Sequence, residues 1–479
     1  MAQGFDCDVV IVGGGPTGVT LALLLARRGV SVIVAEKDAA IHPLPRAAHL
    51  DHEAMRILQE AGVADAVMAT SRTTARYEFR NAAGEILLCF EGSDRIGPGG
   101  WPGANMIHQP SVEAALRREM ARHPGARLLS SCEVLGFDDD GDGVAVRVRS
   151  GDGEGVLRAR YLVGADGARS PVRKSLGIAF EDLGFEEPWV VVDTIVHDAA
   201  RLPGCNLQIC DPARPTTCVL MGEGRHRWEF MVLPGEDPAV VASEASIACL
   251  LEPWDVAGAI SHERTAVYTF RARIAREWRR GRVLLAGDAA HQTPPFAGQG
   301  MCSGLRDAAN LAWKLAAIVG HGASDRLLDS YQPEREPNLR ATIAMAIMMG
   351  RTVCITDPAA AAARDEQMIA ARAAGQSPDG ALAYPPLNGG LIVAGTPGAG
   401  AYFPQLVAAG QRLDDRLGPG RWLIDAEALS RPDFAPFGEG LADWLKRHGA
   451  EAVLVRPDRH VFGTGTAAEM EGAWRAALG

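Results

Sequence analysis

The sequence predicts an α/β chain in which a parallel, helix-covered sheet is interrupted by a second sheet and followed by a small α/β tail. Three observations carry this. Near the N-terminus an apolar strand, Cys7 to Val12, leads through Gly13-Gly-Gly-Pro-Thr-Gly18 into a helix, Val19 to Arg28, and a second strand, Val30 to Ala35. Far along the chain, the apolar strand Val283 to Ala286 turns at Gly287-Asp288. It then passes through Gln292-Thr-Pro-Pro-Phe-Ala-Gly-Gln-Gly-Met301 into a helix. That helix carries Leu305, Ala308, Ala309, Ala312, Leu315 and Ala316 on one face, at the i, i+3, i+4, i+7 spacing. Between these regions, from Ala179 to Ala275, the pattern becomes alternating strands: Val190 to Val196, Asn206 to Ile209, Thr217 to Met221, Arg227 to Leu233, and Ala266 to Arg271.

The first unit is a G-x-G-x-x-G turn inside a strand-helix-strand, with Glu36 placed 23 positions after Gly13. Gly13 permits the tight turn, Gly15 lets backbone approach a pyrophosphate, and Gly18 allows close helix-strand packing. Glu36 can accept adenosine ribose hydroxyls. An acid there disfavours a 2′-phosphate, so the tightly held nucleotide is FAD or NAD, on a Rossmann-like domain. No second such turn follows residue 18, which argues against a two-nucleotide reductase.

At the other end, an acid at a strand terminus beside a glycine-rich loop can hold hydroxyls, while the following helix N-terminus takes an anion. A third device is Tyr161-Leu-Val-Gly-Ala-Asp-Gly-Ala-Arg-Ser-Pro-Val-Arg173, a strand turning at Gly164-Ala-Asp-Gly167. Alone it reads as an ordinary Asp-Gly turn. With glycine-acid devices at positions 13, 166 and 288 in that order, the chain resembles the single-component FAD-dependent aromatic hydroxylases of the para-hydroxybenzoate hydroxylase superfamily. The matching segments are the dinucleotide turn, Asp166, Gly167, Ser170, Val172 and Arg173, and Gly287-Asp288, over about the first 350 residues. The 3-(3-hydroxyphenyl)propionate hydroxylase branch is the most similar in look, through Pro294 to Leu315, Leu44-Pro-Arg-Ala47, Asp51 with Glu53-Ala-Met-Arg56, and His108-Gln-Pro110. The aromatic-polyketide hydroxylases are the neighbouring branch.

The resemblance implies roles. Gly13, Gly15, Thr17, Gly18, Glu36 and Lys37, with Val134, would lie at the ADP half of FAD. Arg46 would sit near the pyrophosphate and the reductant path, Gln109 and Asp288 at the ribityl chain, and Asp166 where loops meet at the pyrophosphate. Gly287 turns the chain beside Asp288. Pro295, Gly298, Gly300 and Met301 would lie along the isoalloxazine edge, where the helix N-terminus stabilises the reduced flavin. At Gly300, a positive φ is expected to exclude β-branched residues. Gln208, Trp228 and Tyr268 are candidate substrate contacts on the inserted sheet, which also carries Arg271, and which of them face the pocket is undecided. His291 reads as a structural residue more than a base. No catalytic side chain is assigned and no metal site is expected. The implied reaction is flavin chemistry: NADH or NADPH reduces FAD, O2 gives a C4a-hydroperoxide, and a phenolic aromatic is hydroxylated. In such families the flavin swings between inner and outer positions, so reduction is expected to wait for substrate. The alternatives are a flavin oxidase or reductase on the same scaffold, a hydroxylase of a larger aromatic polyketide, or a non-catalytic FAD-binding protein.

Composition fits a large enzyme. The chain has 479 residues, 47% hydrophobic and 22% charged, enough for two or three domains. A net charge of −11 without basic clusters argues against nucleic acid and anionic membranes. No apolar run reaches a spanning length, and a signal peptide is not evident, so a cytoplasmic protein is expected. The nine cysteines show no C-x-x-C or ligand spacing. The FAD domain is expected to be discontinuous, over 1–77, 105–180 and 280–350. The substrate sheet takes 78–104 and 181–279, a helical linker 351–385, and a thioredoxin-like tail 386–479. That tail has no cysteine, which leaves packing or a homodimer contact as its role.

Overall fold

A computed structural model describes residues 4–151, 153–377 and 384–479. Apolar β-branched runs build the first sheet. Cys7–Val12 is central, with Val32–Ala35 and then Ala126–Leu129 on one side, and Gly153–Gly164 and then Val283–Leu285 on the other. All these neighbours pair in parallel, so both faces must be covered, and the strands read as continuous apolar runs for that reason. Helices Pro16–Ala26 and Gly300–His321 pack against each other on it. The N-terminal helix begins at Pro16 and ends at Ala26, with Pro at the first position where its missing N–H costs nothing. The start of the long strand Gly153–Gly164 leaves this sheet to pair with Val144–Ser150, itself paired with Glu133–Asp139.

The second sheet has eight strands, in the order His291–Gln292, Ile260–Ala275, Phe180–Val196, Arg225–Met231, Thr216–Leu220, Asn206–Cys210, Arg76–Asn81 and Ile86–Glu91. Two of its strands run well beyond the alternating segments seen in the sequence. Phe180–Val196 and Ile260–Ala275 pair along nearly their whole length. Their outer halves are rich in charge, and cross-strand partners such as Arg273–Asp182 and Arg271–Glu186 support them where apolar alternation is missing.

After helix Tyr331–Val353 comes helix Pro358–Ala373; residues 378–383 of the expected linker lie outside the described residues. The C-terminal unit is a three-stranded antiparallel sheet, Trp422–Ile424, Ala452–Val455 and Val461–Gly465, with helices Gly438–Arg447 and Ala467–Leu478. Buried ion pairs join it to the rest. Arg456 bonds Glu334 and Asp458, and Glu334 also takes Lys314. Asp414 receives both Arg56 and Arg459. No single helix among the described residues is long and apolar enough to cross a membrane.

Candidate cofactor and substrate site

The three glycine-acid devices converge at the ends of the parallel strands. Gly13 has φ +108°, and a Cβ there would lie 2.4 Å from the carbonyl oxygen of Ala165. The first turn therefore abuts the Asp166 turn with no room for a side chain. Thr17 is the other hinge: Cβ atoms on Gly287 and Gly304 would meet its Oγ1 at 2.9 and 2.3 Å. Gly18 approaches the Gly13 carbonyl in the same way, at 2.1 Å. These glycines are packing requirements of the junction.

Around the junction several polar groups keep capacity for a ligand. Glu36 accepts from the Gly14 N–H at 2.7 Å and the Asp38 N–H at 2.8 Å, keeping lone pairs for further donors. Gly15 borders open space. Asp288 is exposed at the turn Gly287–Ala289. Asp166 accepts from the Val172 N–H through one oxygen, while its other oxygen is buried with no hydrogen-bond partner, as is Thr293 Oγ1. Burial pushes the Asp166 carboxyl up, against Ser170 and Val172. The donor and acceptor set, with small residues where a ligand's backbone must approach, fits FAD. Lys37 is exposed and pairs with Asp38; Val134 is half-buried on Glu133–Asp139, a segment tied to Glu36 by the bond from the Cys132 N–H to the Glu36 carbonyl.

Gln109 does something more specific than start a helix. Its Oε1 accepts from the N–H groups of Arg46 and Ala47, at 3.0 and 2.7 Å, and its amide donates to Glu113. It thus shapes the loop from which the exposed Arg46 side chain projects. Pro295–Ala297 form a tight turn, Gly298 has φ +65°, and helix Gly300–His321 starts with Gln299 as its cap. Gly300 itself is not at positive φ and borders open space, so the backbone constraint expected at 300 belongs to Gly298. The first N–H groups of the helix, at Gly300 and Met301, have no intrahelical partner.

His291 is buried and 2.6 Å from Asp307, with its ring against Trp278, and is a strut. Asp307 is one residue that the sequence does not single out: it also accepts from the Gly287 N–H and from Arg335, and so fixes the turn that presents Asp288. Burial raises its carboxyl, but His291 and Arg335 outweigh this and hold it below the usual range. The motif residues Asp51, Glu53 and Arg56 are likewise buried struts. Asp51 caps its helix and, with Glu53, binds Arg306.

On the second sheet, alternation decides which residues face the cofactor loops. Tyr77 donates to the Phe296 carbonyl at 2.8 Å, Gln208 donates to Tyr77, and Thr217 donates to Gln208. Arg227 and Arg264 share Asp193 and donate to the Pro45 carbonyl; Arg227 also donates to the Arg46 carbonyl. Tyr268 is on this face, 3.2 Å from Arg264. Trp228 is not: it points to the opposite face, fully buried with Val190, Val192 and Ile247 and against Trp254, which corrects its assignment as a substrate contact. Arg271 is partly exposed, with its side chain on Glu186 away from the loops. Tyr77, Asp193, Arg227, Glu229 and Arg264 escaped the sequence reading. The available signal was a charge inside an otherwise apolar strand, as at Asp193 in Val190-Val-Val-Asp-Thr-Ile-Val196.

Comparison with known proteins agrees with this architecture. Residues 6–346 match the FAD binding domain family. The chain is 40% identical to a probable NADH-specific resorcinol 4-hydroxylase of Rhodococcus jostii, over 97% of this chain and 93% of the relative. It is 35% identical to a 3-(3-hydroxy-phenyl)propionate/3-hydroxycinnamic acid hydroxylase of Burkholderia cenocepacia, over 98% and 96%. A crystal structure of aklavinone-11 hydroxylase with FAD and aklavinone superposes with a TM-score of 0.80 at 28% identity, covering 99% of both chains. With its three glycine-acid devices joined at one junction and relatives of this kind along nearly its whole length, the chain belongs to the FAD-dependent aromatic hydroxylases.

Proposed function

We propose that this protein hydroxylates a small phenol of the resorcinol or 3-hydroxyphenylpropionate kind, using NAD(P)H and O2. The observation that supports this most is the facing of the second sheet: its hydrogen-bonding wall is tied to both cofactor loops, at Pro45–Arg46 and at Phe296. Bound FAD would supply electron transfer from the nicotinamide and activation of O2.

The chain's own residues bind, orient and exclude water. Glu36 would take the adenosine ribose, while Gly13, Gly15 and Gly18 let backbone approach the pyrophosphate. Arg117, which donates to the Gly14 carbonyl at 2.9 Å, braces that turn. Asp288 would hold ribityl hydroxyls, with Gln109 shaping the neighbouring loop. The free N–H groups at the start of helix Gly300–His321 would stabilise negative charge on the reduced ring. Arg46 would meet the reductant. Gln208 and Tyr268 remain on the substrate side. The division into 1–77, 105–180 and 280–350, with 78–104 and 181–279 as the substrate unit, is part of this reading. So is a packing or homodimer role for a shortened thioredoxin-like tail.

Resorcinol, 3-(3-hydroxyphenyl)propionate and a larger polyketide phenol, each with NADH and with NADPH, form the test. Product mass increased by one oxygen with one of the small phenols is the expected result. Nicotinamide consumption yielding only hydrogen peroxide across the set would favour the oxidase reading.

A further inference from the structure

We propose that Glu229 receives the phenolic hydroxyl of the substrate, and that the wall it stands on favours an uncharged dihydric phenol over a phenol carrying a carboxylate. This rests on the phenol-hydroxylase reading above and adds to it a residue and a substrate class.

Glu229 lies on strand Arg225–Met231, opposite Val191 on one neighbour and Thr217 on the other. It shares its face with Arg227, two residues earlier, which grips the Pro45–Arg46 loop. On its other side, Thr217, Gln208 and Tyr77 pass hydrogen bonds in one direction to the Phe296 carbonyl. Glu229 therefore stands between the two loops that resemble the flavin-bearing loops of the family. It is 6% exposed. Among the described residues its carboxylate receives no hydrogen bond, and its nearest cation is Arg227 at 3.7 Å. That guanidinium is already committed to Asp193 and to two loop carbonyls. The Gln208, Thr217 and Tyr77 groups satisfy one another. A largely buried carboxylate that no protein group donates to is costly, and a phenol O–H supplies a donor.

Arg227 on its own strand, Asp193 on Phe180–Val196, Arg264 on Ile260–Ala275 and Tyr77 on Arg76–Asn81 are the charged and titratable groups that act on or feel Glu229, and Tyr268 lies on the same face beside Arg264. Burial pushes the Glu229 carboxyl up to about 7; Arg227 and Arg264 oppose this and Asp193 adds to it. Burial also raises the Tyr77 phenol, so Tyr77 stays a neutral donor. An acid near neutrality is matched to proton exchange at working pH. In the step proposed, the substrate O–H bond breaks as an Oε–H bond forms on Glu229. The electron pair stays on the substrate oxygen and enriches the ortho and para carbons, one of which forms a C–O bond with one oxygen atom of O2; the hydrogen on that carbon leaves as a proton, and the other oxygen atom leaves as water with the two electrons supplied by NAD(P)H. Glu229 then returns the proton to the product oxygen. A substrate carboxylate would place a second negative charge beside Glu229, where both arginines are already bonded.

The experiment uses the FAD-loaded protein as wild type, Glu229→Gln and Glu229→Asp, with FAD content and flavin spectrum confirming assembly. Resorcinol and 3-(3-hydroxyphenyl)propionate are titrated against flavin absorbance, turnover is followed from pH 5.5 to 8.5, and proton release on resorcinol binding is followed with an indicator dye at pH 7. The wild type should bind resorcinol at least tenfold more tightly than the propionate, release on binding the proton held by the neutral fraction of Glu229, because only the carboxylate can accept the phenol O–H, and gain turnover as pH rises through about 7. Glu229→Gln should lose at least tenfold in kcat and flatten the profile; Glu229→Asp should restore part of the pH dependence. If Glu229→Gln fails to load FAD, proton release by the wild type and the Glu229→Asp profile decide. An unchanged profile in Glu229→Gln, no proton release, or equal binding of the two phenols would overturn the proposal while leaving the hydroxylase reading in place. Absence of hydroxylation of any phenol by the wild type would overturn both.

Discussion

Asp288 and Glu229 are the two acids proposed to meet a ligand, yet only one could be found in the sequence. Asp288 follows a local signal, an apolar strand running into Gly287-Asp288 and a glycine-rich loop. If it holds the ribityl chain, Asp288→Ala should lose a charge-assisted hydrogen bond worth about 1.5–3 kcal/mol. FAD titration of the apoprotein should then show binding weakened by roughly tenfold or more, and a fully flavinylated variant with unchanged affinity would refute the role. Gly13, Gly15, Gly18 and Glu36 were legible for the same reason, since their spacing is fixed within one strand-helix-strand unit. Glu229 depends on which side of a strand turns inward, and a one-residue change of register reverses that. Trp228 illustrates the failure: it is next to Glu229 in the chain and on the other side of the sheet.

Helix Gly300–His321 organises the site at its N-terminus and the core along its length. Gly298, not Gly300, carries the backbone constraint, with φ +65° and His49 Nδ1 2.9 Å from where a Cβ would sit. Gly298→Val should therefore lower both FAD occupancy and thermal stability. Gly300→Ala should keep the fold and alter only the flavin spectrum or potential, which redox titration would detect. Two turns into the helix, Asp307 ties the Gly287 turn to His291 and Arg335. Asp307→Ala leaves a buried guanidinium short of its anion, at a cost of about 3–5 kcal/mol. Calorimetry should show a lower Tm, and saturating FAD should recover only part of it. The apolar period of this helix was plain in the sequence. Its ionic partners were not, because they come from segments more than 15 residues away, and chain spacing does not encode such pairings.

The whole molecule is held together by buried charge as well as by apolar packing. Glu334 sits between Lys314 and Arg456; burial alone would raise it, but these two cations hold its carboxyl down to about 2. A depressed acid stabilises the fold above its unfolded value, near 4.5, and that contribution disappears as pH falls toward 2. The C-terminal unit should thus loosen first between about pH 4.5 and 2, which tryptophan fluorescence of Trp422 and Trp444 would report; Glu334→Gln should shift that loosening to higher pH. The same architecture links the second sheet to the Arg46 loop through Asp193, Arg227 and Arg264. A substrate on that sheet is therefore expected to speed anaerobic flavin reduction by NADH at least tenfold, about 1.4 kcal/mol in the barrier. Equal stopped-flow rates with and without phenol would dismiss this coupling. The central claim, that the three devices assemble a phenol hydroxylase, is tested most directly by turnover under heavy-isotope O2. The purified FAD protein with NADH and the phenol it prefers should place one heavy oxygen atom in each product molecule, at a rate matching NADH loss. Unlabelled phenol, with all the heavy oxygen recovered as hydrogen peroxide, would contradict it.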